Sequence, residues 1–184
     1  MSHITIMNKA KTSCRVNMTQ DGSLSGIIPL TAGGSVDVPT TASYTVYAST
    51  TLEDGNTYVT RAHTFTSDSP RDFRAEIKQE GTDFVFHLLA LPQETPGRVT
   101  MHNTGPSAVV FNVARNGTPL KATSVANALM SNFVSLKERY TFNAIVDGVT
   151  TADLSTTDRE ADISVLPNEE RVANYRTYRV DIDS

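Results

Sequence analysis

Alternating apolar and polar residues dominate the chain. Phe73, Ala75 and Ile77 are apolar and occupy every second position of one stretch. The intervening positions are charged: Asp72, Arg74, Glu76 and Lys78. The same alternation returns at 84–88 and at 178–182. This period of two indicates strands with one buried face and one solvated face, so we predict that the four charged residues point to solvent.

Turn-forming dipeptides separate these apolar stretches. Asp21-Gly22, Asp54-Gly55, Asn116-Gly117 and Asp147-Gly148 each lie between two of them. Such dipeptides supply the positive φ angles that tight hairpin turns require. A different signal, with two prolines and a glycine, occupies 92–97 at the middle of the chain and is typical of a linker.

The sequences on the two sides of this linker are alike. Ile4–Gly22 can be laid on Val99–Gly117 without a gap, and the apolar positions coincide. The identical pairs are Thr5/Thr100, Asn8/Asn103, Asn17/Asn112 and Gly22/Gly117. Further along, Tyr44–Ala48 corresponds to Tyr140–Ala144. The first two segments therefore predict an internal repeat.

Two later segments extend the match in the same order. Phe73–Ile77 is aligned with Arg159–Ile163, and Phe84–Leu88 with Tyr178–Ile182. A slip of one residue would turn every apolar side chain to the opposite face, so the shared phase is a physical constraint. We predict an all-β protein of two tandem antiparallel β-sandwich units, 1–92 and 97–184, joined by the linker 92–97.

One segment of the second copy breaks the symmetry. Six apolar residues follow the spacing of a helical stripe: Ala122, Val125, Ala126, Leu129, Met130 and Phe133. The spacing predicts a short helix around 120–131, whereas the first copy has a proline and two glycines at 27–34. Such a helix would either cap one end of the sandwich or contact a partner. The polar residues of this candidate interaction loop are Lys121, Thr123, Ser124, Asn127, Ser131 and Asn132.

Composition and charge narrow the classes of partner. The chain has 184 residues and a net charge of −4, so we expect no nucleic-acid partner, because phosphate binding needs a basic surface. Cys14 is the single cysteine, so no internal disulfide can form, and we interpret it as a buried structural thiol. No apolar stretch is long enough for a transmembrane helix. We expect synthesis in the cytoplasm without a signal peptide, and release by a signal-free route stays open.

The chemistry-bearing residues form no local catalytic motif. His3, His63, His87 and His102 lack the spacing of a metal site, and no Gly-x-Ser-x-Gly or phosphate-binding loop is present. We therefore predict no catalytic residue, no metal site and no cofactor. A site that converges from different strands, or from both units, lies beyond local motifs.

The order of elements in each copy, a strand that ends in Asn8 or Asn103, a second strand and a Gly/Ser-rich stretch, is similar to that of several small sandwiches. They include thaumatin-like, aegerolysin-like and some bacterial insecticidal proteins. The thaumatin disulfides and a tryptophan-rich face are missing, so the resemblance implies a fold and transfers no functional residue.

These observations favour a non-enzymatic binding or structural protein whose loops recognise a partner. A membrane-acting or host-targeted toxin component is the first alternative, and lectin-like sugar binding is the second. An enzyme with a site assembled from both units is a further hypothesis. The sheet edges of two open sandwiches need cover, either from each other or from a second copy, so a homo-oligomer stays open.

Overall fold

The chain folds into β-strands. The computed structural model describes residues 1–120, 124–172 and 175–183, and gives the backbone alone for 124, 125, 169–172, 175 and 176. The strands of the first copy are β1 (His3–Asn8), β2 (Cys14–Gln20), β3 (Ser23–Leu30), β4 (Ser35–Pro39), β5 (Ser43–Thr51), β6 (Thr57–Val59), β7 (His63–Thr66), β8 (Arg71–Glu80) and β9 (Asp83–Pro92). Those of the second copy are β10 (Arg98–Asn103), β11 (Val109–Arg115), β12 (Thr118–Pro119), β13 (Ser124–Ala126), β14 (Ser131–Ser135), β15 (Tyr140–Val146), β16 (Val149–Thr150), β17 (Leu154–Thr156), β18 (Asp162–Val172) and β19 (Tyr175–Ile182). The predicted all-β class is confirmed.

The helix predicted around 120–131 is wrong. In its described part, β13 pairs with β11, a turn covers 127–130, and β14 pairs with β10. Leu129, Met130 and Phe133 are exposed, while Ala126 and Val134 are buried. A helix would need its apolar stripe buried along one face, but strand pairing buries only the residues that point inward. Ala122 lies outside the described residues.

The chain divides into two compact units that do not coincide with the two sequence copies. Unit 1 comprises 1–40 and 138–184, and unit 2 comprises 41–137. The predicted boundary at 92–97 differs from this division, since that segment lies inside unit 2 and connects β9 to β10.

Unit 1 contains two sheets. One has the strand order β19-β18-β1-β4, and the other has the order β16-β15-β2-β3, with β17 also paired to β15. Side chains from both sheets form one buried core, in which Ile4, Val16, Phe142 and Ile163 are completely buried. Two sheets that share one core are consistent with a β-sandwich.

Unit 2 repeats this arrangement. Its sheets have the orders β14-β10-β8-β9 and β12-β11-β5-β6, with β13 paired to β11 and β7 to β5. Its own core includes Val46, Phe73, Met101 and Phe111. Each strand of unit 2 thus takes the sheet position of its repeat equivalent in unit 1.

The two copies exchange their halves. β1–β4 of the first copy pair with β15–β19 of the second copy in unit 1. β5–β9 of the first copy pair with β10–β14 of the second copy in unit 2. The chain passes between units at Thr40–Thr41 and again at Lys137–Glu138. This is domain swapping within a single chain.

Strand register tests the predicted repeat alignment. Tyr44 pairs with Arg115 as Tyr140 pairs with Gln20, which confirms the alignment of 44–48 with 140–144. In the parallel strand pairs Met101 opposes Phe73 and Ile6 opposes Ile163, so Phe73 corresponds to Ile163. The prediction for this segment is therefore wrong by four residues.

The last repeat segment is also displaced. Leu88 opposes Ala75 as Val180 opposes Val165. Leu88 therefore corresponds to Val180, and the predicted alignment of 84–88 with 178–182 is wrong by two residues. Both displacements are even numbers, which is why the apolar phase looked correct in the sequence.

Asp72 is buried, contrary to the prediction that it points to solvent. Its side chain is completely enclosed, and its carboxylate oxygens accept hydrogen bonds from the backbone N–H groups of Glu94 (2.8 Å) and Thr100 (2.7 Å). These two residues lie at the crossover 92–97 and in β10. The segment that looked like an interdomain linker is thus fastened to β8 by a buried carboxylate.

The tight turns follow the sequence prediction at three of four sites. Asp21-Gly22, Asn116-Gly117 and Asp147-Gly148 have positive φ at both residues, as a type I′ turn requires. At Asp54-Gly55 only the glycine has positive φ. Within the described residues, no helix is long and apolar enough to cross a membrane.

Candidate functional site

A buried asparagine organises the loops at one end of each unit. Asn8 Nδ2 donates to the carbonyl oxygens of Thr12 and Thr31, both at 2.9 Å. Asn103 Nδ2 donates in the same way to Ser107 (2.7 Å) and Asn127 (3.2 Å). The repeated asparagines are therefore structural, and they establish which loop residues of the two units correspond.

A hairpin at this end is longer in unit 2 than in unit 1. Thr60 closes it by exchanging hydrogen bonds with Ala48, through its backbone N–H and its hydroxyl oxygen. Thr151 makes the same pair of bonds with Ala144 in unit 1. The spacing is 12 positions in unit 2 and seven in unit 1, so the hairpin of unit 2 contains five more residues.

The tip of the long hairpin is held by Asp54. Its carboxylate accepts hydrogen bonds from the backbone N–H of Asn56 (2.9 Å), from Asn56 Nδ2 (3.0 Å) and from the Tyr58 hydroxyl (2.9 Å). The bonds from Asn56 are the main reason why the pKa of Asp54 is lowered from its ordinary value. The same carboxylate raises the pKa of the Tyr58 hydroxyl. Asp54 therefore remains an anion at the rim of the hairpin.

A cleft of about 620 Å³ lies between this hairpin and the β8–β9 pair. Its apolar floor includes Ile77, Phe84 and Phe86, and its rim carries Glu53 and Asp54. The described residues that line it are Thr50, Leu52, Glu53, Asp54, Tyr58, Ile77, Phe84, Phe86, Pro106 and Ser107. Phe84 is 69% exposed, an unusual state for so large an apolar side chain. Among the described lining residues none is basic.

At the corresponding place in unit 1, hydrogen bonds join the hairpin to its neighbours. There the Asp147 carboxylate accepts hydrogen bonds from the Tyr178 hydroxyl (2.9 Å) and from the Thr12 hydroxyl (3.3 Å). Unit 2 has Phe86 where unit 1 has Tyr178, as the pairings Phe86–Ile77 and Tyr178–Pro167 show. Phe86 has no hydroxyl to make such a link, and the hairpin is longer. Among the described residues, the hairpin is thus bridged to its neighbouring strand and loop in unit 1, whereas in unit 2 a cleft separates it from the β8–β9 pair.

A comparison with family models, curated proteins and solved structures finds no match. The kind of ligand that the cleft could bind is therefore inferred from the residues of the cleft alone. An apolar floor with an anionic rim suits a ligand that has an apolar body and a positive charge.

The predicted interaction loop lies beside this cleft. Asn127 is in the turn before β14, and Ser131 and Asn132 begin that strand, all three exposed. The backbone of Ser124 is in β13, whereas Lys121 and Thr123 lie outside the described residues. The structure therefore brings Asn127, Ser131 and Asn132 to one end of unit 2, on two strands and a turn instead of a helix.

The histidines and the cysteine remain apart from the cleft. His87 Nε2 lies 2.9 Å from Glu80, the His63 ring packs against Phe73, and Cys14 is buried in unit 1. Burial raises the pKa of the Cys14 thiol, as expected for a structural cysteine. Within the described part of the chain, no group of three or more His, Cys, Asp or Glu residues could hold a metal ion.

Sequence reasoning missed the cleft. Asp54-Gly55 was expected to form the same turn as Asp147-Gly148, but the two hairpins differ in length and geometry. Asp54 follows Ala48 by six positions, whereas Asp147 follows Ala144 by three, and this difference is the sequence signal that could have revealed the longer hairpin.

Proposed function

We propose that this chain is a non-enzymatic binding protein whose cleft in unit 2 takes a ligand with an apolar body and a cationic group. The observation that carries the proposal is the cleft at a position that unit 1 bridges by the hydrogen bond between Tyr178 and Asp147. The exposed Phe84 on the floor of this cleft supports a role in recognition.

The charges at the cleft support a cationic ligand. Glu53 and Asp54 are both exposed at the rim, and no described lining residue is basic to neutralise them. The two carboxylates would attract a cation at this rim and repel an anion, although exposed ion pairs contribute only about 0–1 kcal/mol each. The apolar floor would therefore supply most of the affinity and the rim most of the charge selectivity.

The side chains of the cleft support binding instead of catalysis. The described residues of its lining include no histidine, cysteine or lysine. The lowered pKa of Asp54 makes that carboxylate a weak base, and the raised pKa of Tyr58 makes the phenol a weak acid near neutral pH. The Thr50 hydroxyl is poorly placed to act as a nucleophile, because the side chain is buried and the hydroxyl donates to the Ala108 carbonyl oxygen.

Isothermal titration of the full chain with hexylammonium, hexanol and hexanoate tests this function. We expect hexylammonium to bind with a Kd of roughly 0.1–1 mM, hexanol more weakly, and hexanoate most weakly. Phe84→Ala should weaken hexylammonium and hexanol alike, because it removes apolar floor and leaves the charges unchanged.

A matched pair of double variants distinguishes the effect of the rim carboxylates on affinity from the effect of the net charge of the chain. Glu53→Gln combined with Asp54→Asn should weaken hexylammonium several-fold and leave hexanol unchanged. The same change of net charge in unit 1, Asp153→Asn combined with Asp158→Asn, should leave both ligands unchanged. If hexylammonium does not bind, or binds equally well to the Phe84→Ala variant, the proposed function is wrong.

A further inference from the structure

Two exposed apolar residues form a tip beside the cleft. Leu129 is 76% exposed and Met130 is 58% exposed, both in the turn between β13 and β14. We call these two residues the apolar tip. Their equivalents in unit 1 are Gly33 and Gly34, because Met130 and Gly34 each accept a hydrogen bond from the backbone N–H of the repeated asparagine. One copy thus has two large apolar side chains where the other has none.

Leu129 occupies a backbone conformation that favours glycine. Its φ is 59°, close to the 71° of Gly33. The other positive-φ residues besides glycine in the described chain are two aspartates and an asparagine, which tolerate this region better than a leucine does. A Cβ on Gly33 would meet nothing within 4 Å, so the backbone is the main constraint at this position. Unit 2 therefore keeps a disfavoured residue that exposes an apolar side chain, a combination that fold stability does not explain.

The apolar tip is adjacent to the cleft. Asn103 Nδ2 donates to the carbonyl oxygen of Ser107, which lines the cleft, and to that of Asn127, which begins the tip turn. Two carbonyl oxygens that share one nitrogen lie within a few ångströms of each other. Pro106, also part of the cleft lining, is exposed on the loop that carries Ser107. Cleft, loop and tip thus lie close together at one end of unit 2.

We propose that the cleft and the apolar tip together bind a polypeptide segment that is both apolar and basic. This inference rests on the proposed function and names the partner of the same site. A small amine would fill the cleft without reaching Leu129 and Met130, so the exposed tip indicates a longer ligand. The acidic rim at Glu53 and Asp54 favours lysine or arginine between its apolar residues.

Binding of synthetic nonapeptides to the full chain tests the proposal. The probes are an alternating Leu-Lys peptide, an alternating Leu-Glu peptide and hexylammonium, which reaches the cleft alone. We expect the wild-type chain to prefer the Leu-Lys peptide. Leu129→Gly combined with Met130→Gly, which restores the residues of unit 1, should weaken that peptide about tenfold and change hexylammonium less than twofold.

The melting temperature of the variants distinguishes a binding role of Leu129 from a structural role. Because glycine relieves the positive φ, Leu129→Gly should leave the melting temperature unchanged or raise it while peptide affinity falls. Leu24→Ala is the control, since it removes a leucine that is 62% exposed in unit 1, and it should leave peptide affinity unchanged.

Four outcomes would overturn the proposal. The first is equal binding of the Leu-Lys peptide to the wild-type chain and to the double glycine variant while hexylammonium still binds. The second is preference for the Leu-Glu peptide. The third is tip-dependent binding to phosphatidylcholine–phosphatidylserine vesicles without peptide binding, which would make the partner a lipid surface. The fourth is concentration-dependent self-association that the double variant abolishes, which would make it a second copy. Failure of hexylammonium itself would instead refute the proposed function.

Discussion

Replacing Asn103 by alanine should destabilise unit 2 strongly. The Asn103 side chain is buried at 2% exposure and donates to the carbonyl oxygens of Ser107 at 2.7 Å and Asn127 at 3.2 Å. Its Oδ1 atom also accepts a hydrogen bond from the backbone N–H of Gly105 at 2.9 Å. Asn103→Ala removes all three bonds.

The magnitude follows from these contacts. Each lost hydrogen bond costs about 1 kcal/mol, and a buried partner left unpaired adds to that cost. Since the loops are partly exposed, water can replace some of the lost partners. We therefore expect the free energy of unfolding to fall by about 3 kcal/mol. For a unit of this size that corresponds to a melting temperature lower by more than about 10 °C.

Asn8→Ala supplies the matched control in unit 1, where the Asn8 side chain makes the same bonds. Urea denaturation followed by circular dichroism gives the loss of free energy for each variant. Hydrogen exchange should locate the loss in unit 2 for Asn103→Ala and in unit 1 for Asn8→Ala. A loss below about 1 kcal/mol, or faster exchange in the wrong unit, would refute the assigned role of these asparagines.

Three further predictions follow from the exchanged strands, the buried carboxylate and the hairpin. In a cysteine-free background, Asn17→Cys with Asn143→Cys should form a disulfide on oxidation, because the two asparagine side chains are 2.8 Å apart. Asn17→Cys with Tyr47→Cys should not form one, and the reverse result in non-reducing gels would contradict the exchange of halves. Asp72→Ala should lower the free energy of unfolding by about 2–4 kcal/mol, since two charge-assisted bonds to the backbone are lost; a neutral effect in urea denaturation would count against it. In a Glu53→Gln background, where Asp54 is the remaining acidic residue of the described rim, affinity for hexylammonium should persist below the ordinary pKa range of aspartate, because the pKa of Asp54 is lowered. Affinity should fall only as the pH drops through the lowered value, and a loss centred at or above the ordinary value would contradict this reasoning.

The strands and the repeat could be predicted because both are local properties of the sequence. Alternation identifies the inward residues of a strand, and Tyr44–Ala48 and Tyr140–Ala144 occupy equivalent positions as expected. The exchange of halves could not be predicted in this way. β5 and β15 are equivalent strands of the repeat and have the same apolar alternation. The pattern therefore does not indicate which of the two pairs with β2.

Two other features were hidden for different physical reasons. Leu129, Met130 and Phe133 have helical spacing by coincidence, since their side chains are exposed at a turn and on a strand. Asp72 has the alternation of an outward residue, but the chain crosses over it at 92–97 and supplies two backbone donors. In both cases tertiary contacts overrode the local pattern.

The most direct test of the binding account is a map of hexylammonium contacts on the full chain by two-dimensional NMR. The account predicts that shift changes concentrate in the hairpin 50–58, at 77 and 84–86, and in the loop 106–107, with none in the equivalent end of unit 1 around Asp147 and Tyr178. Shift changes that centre on unit 1, or that spread evenly over both units, would contradict it.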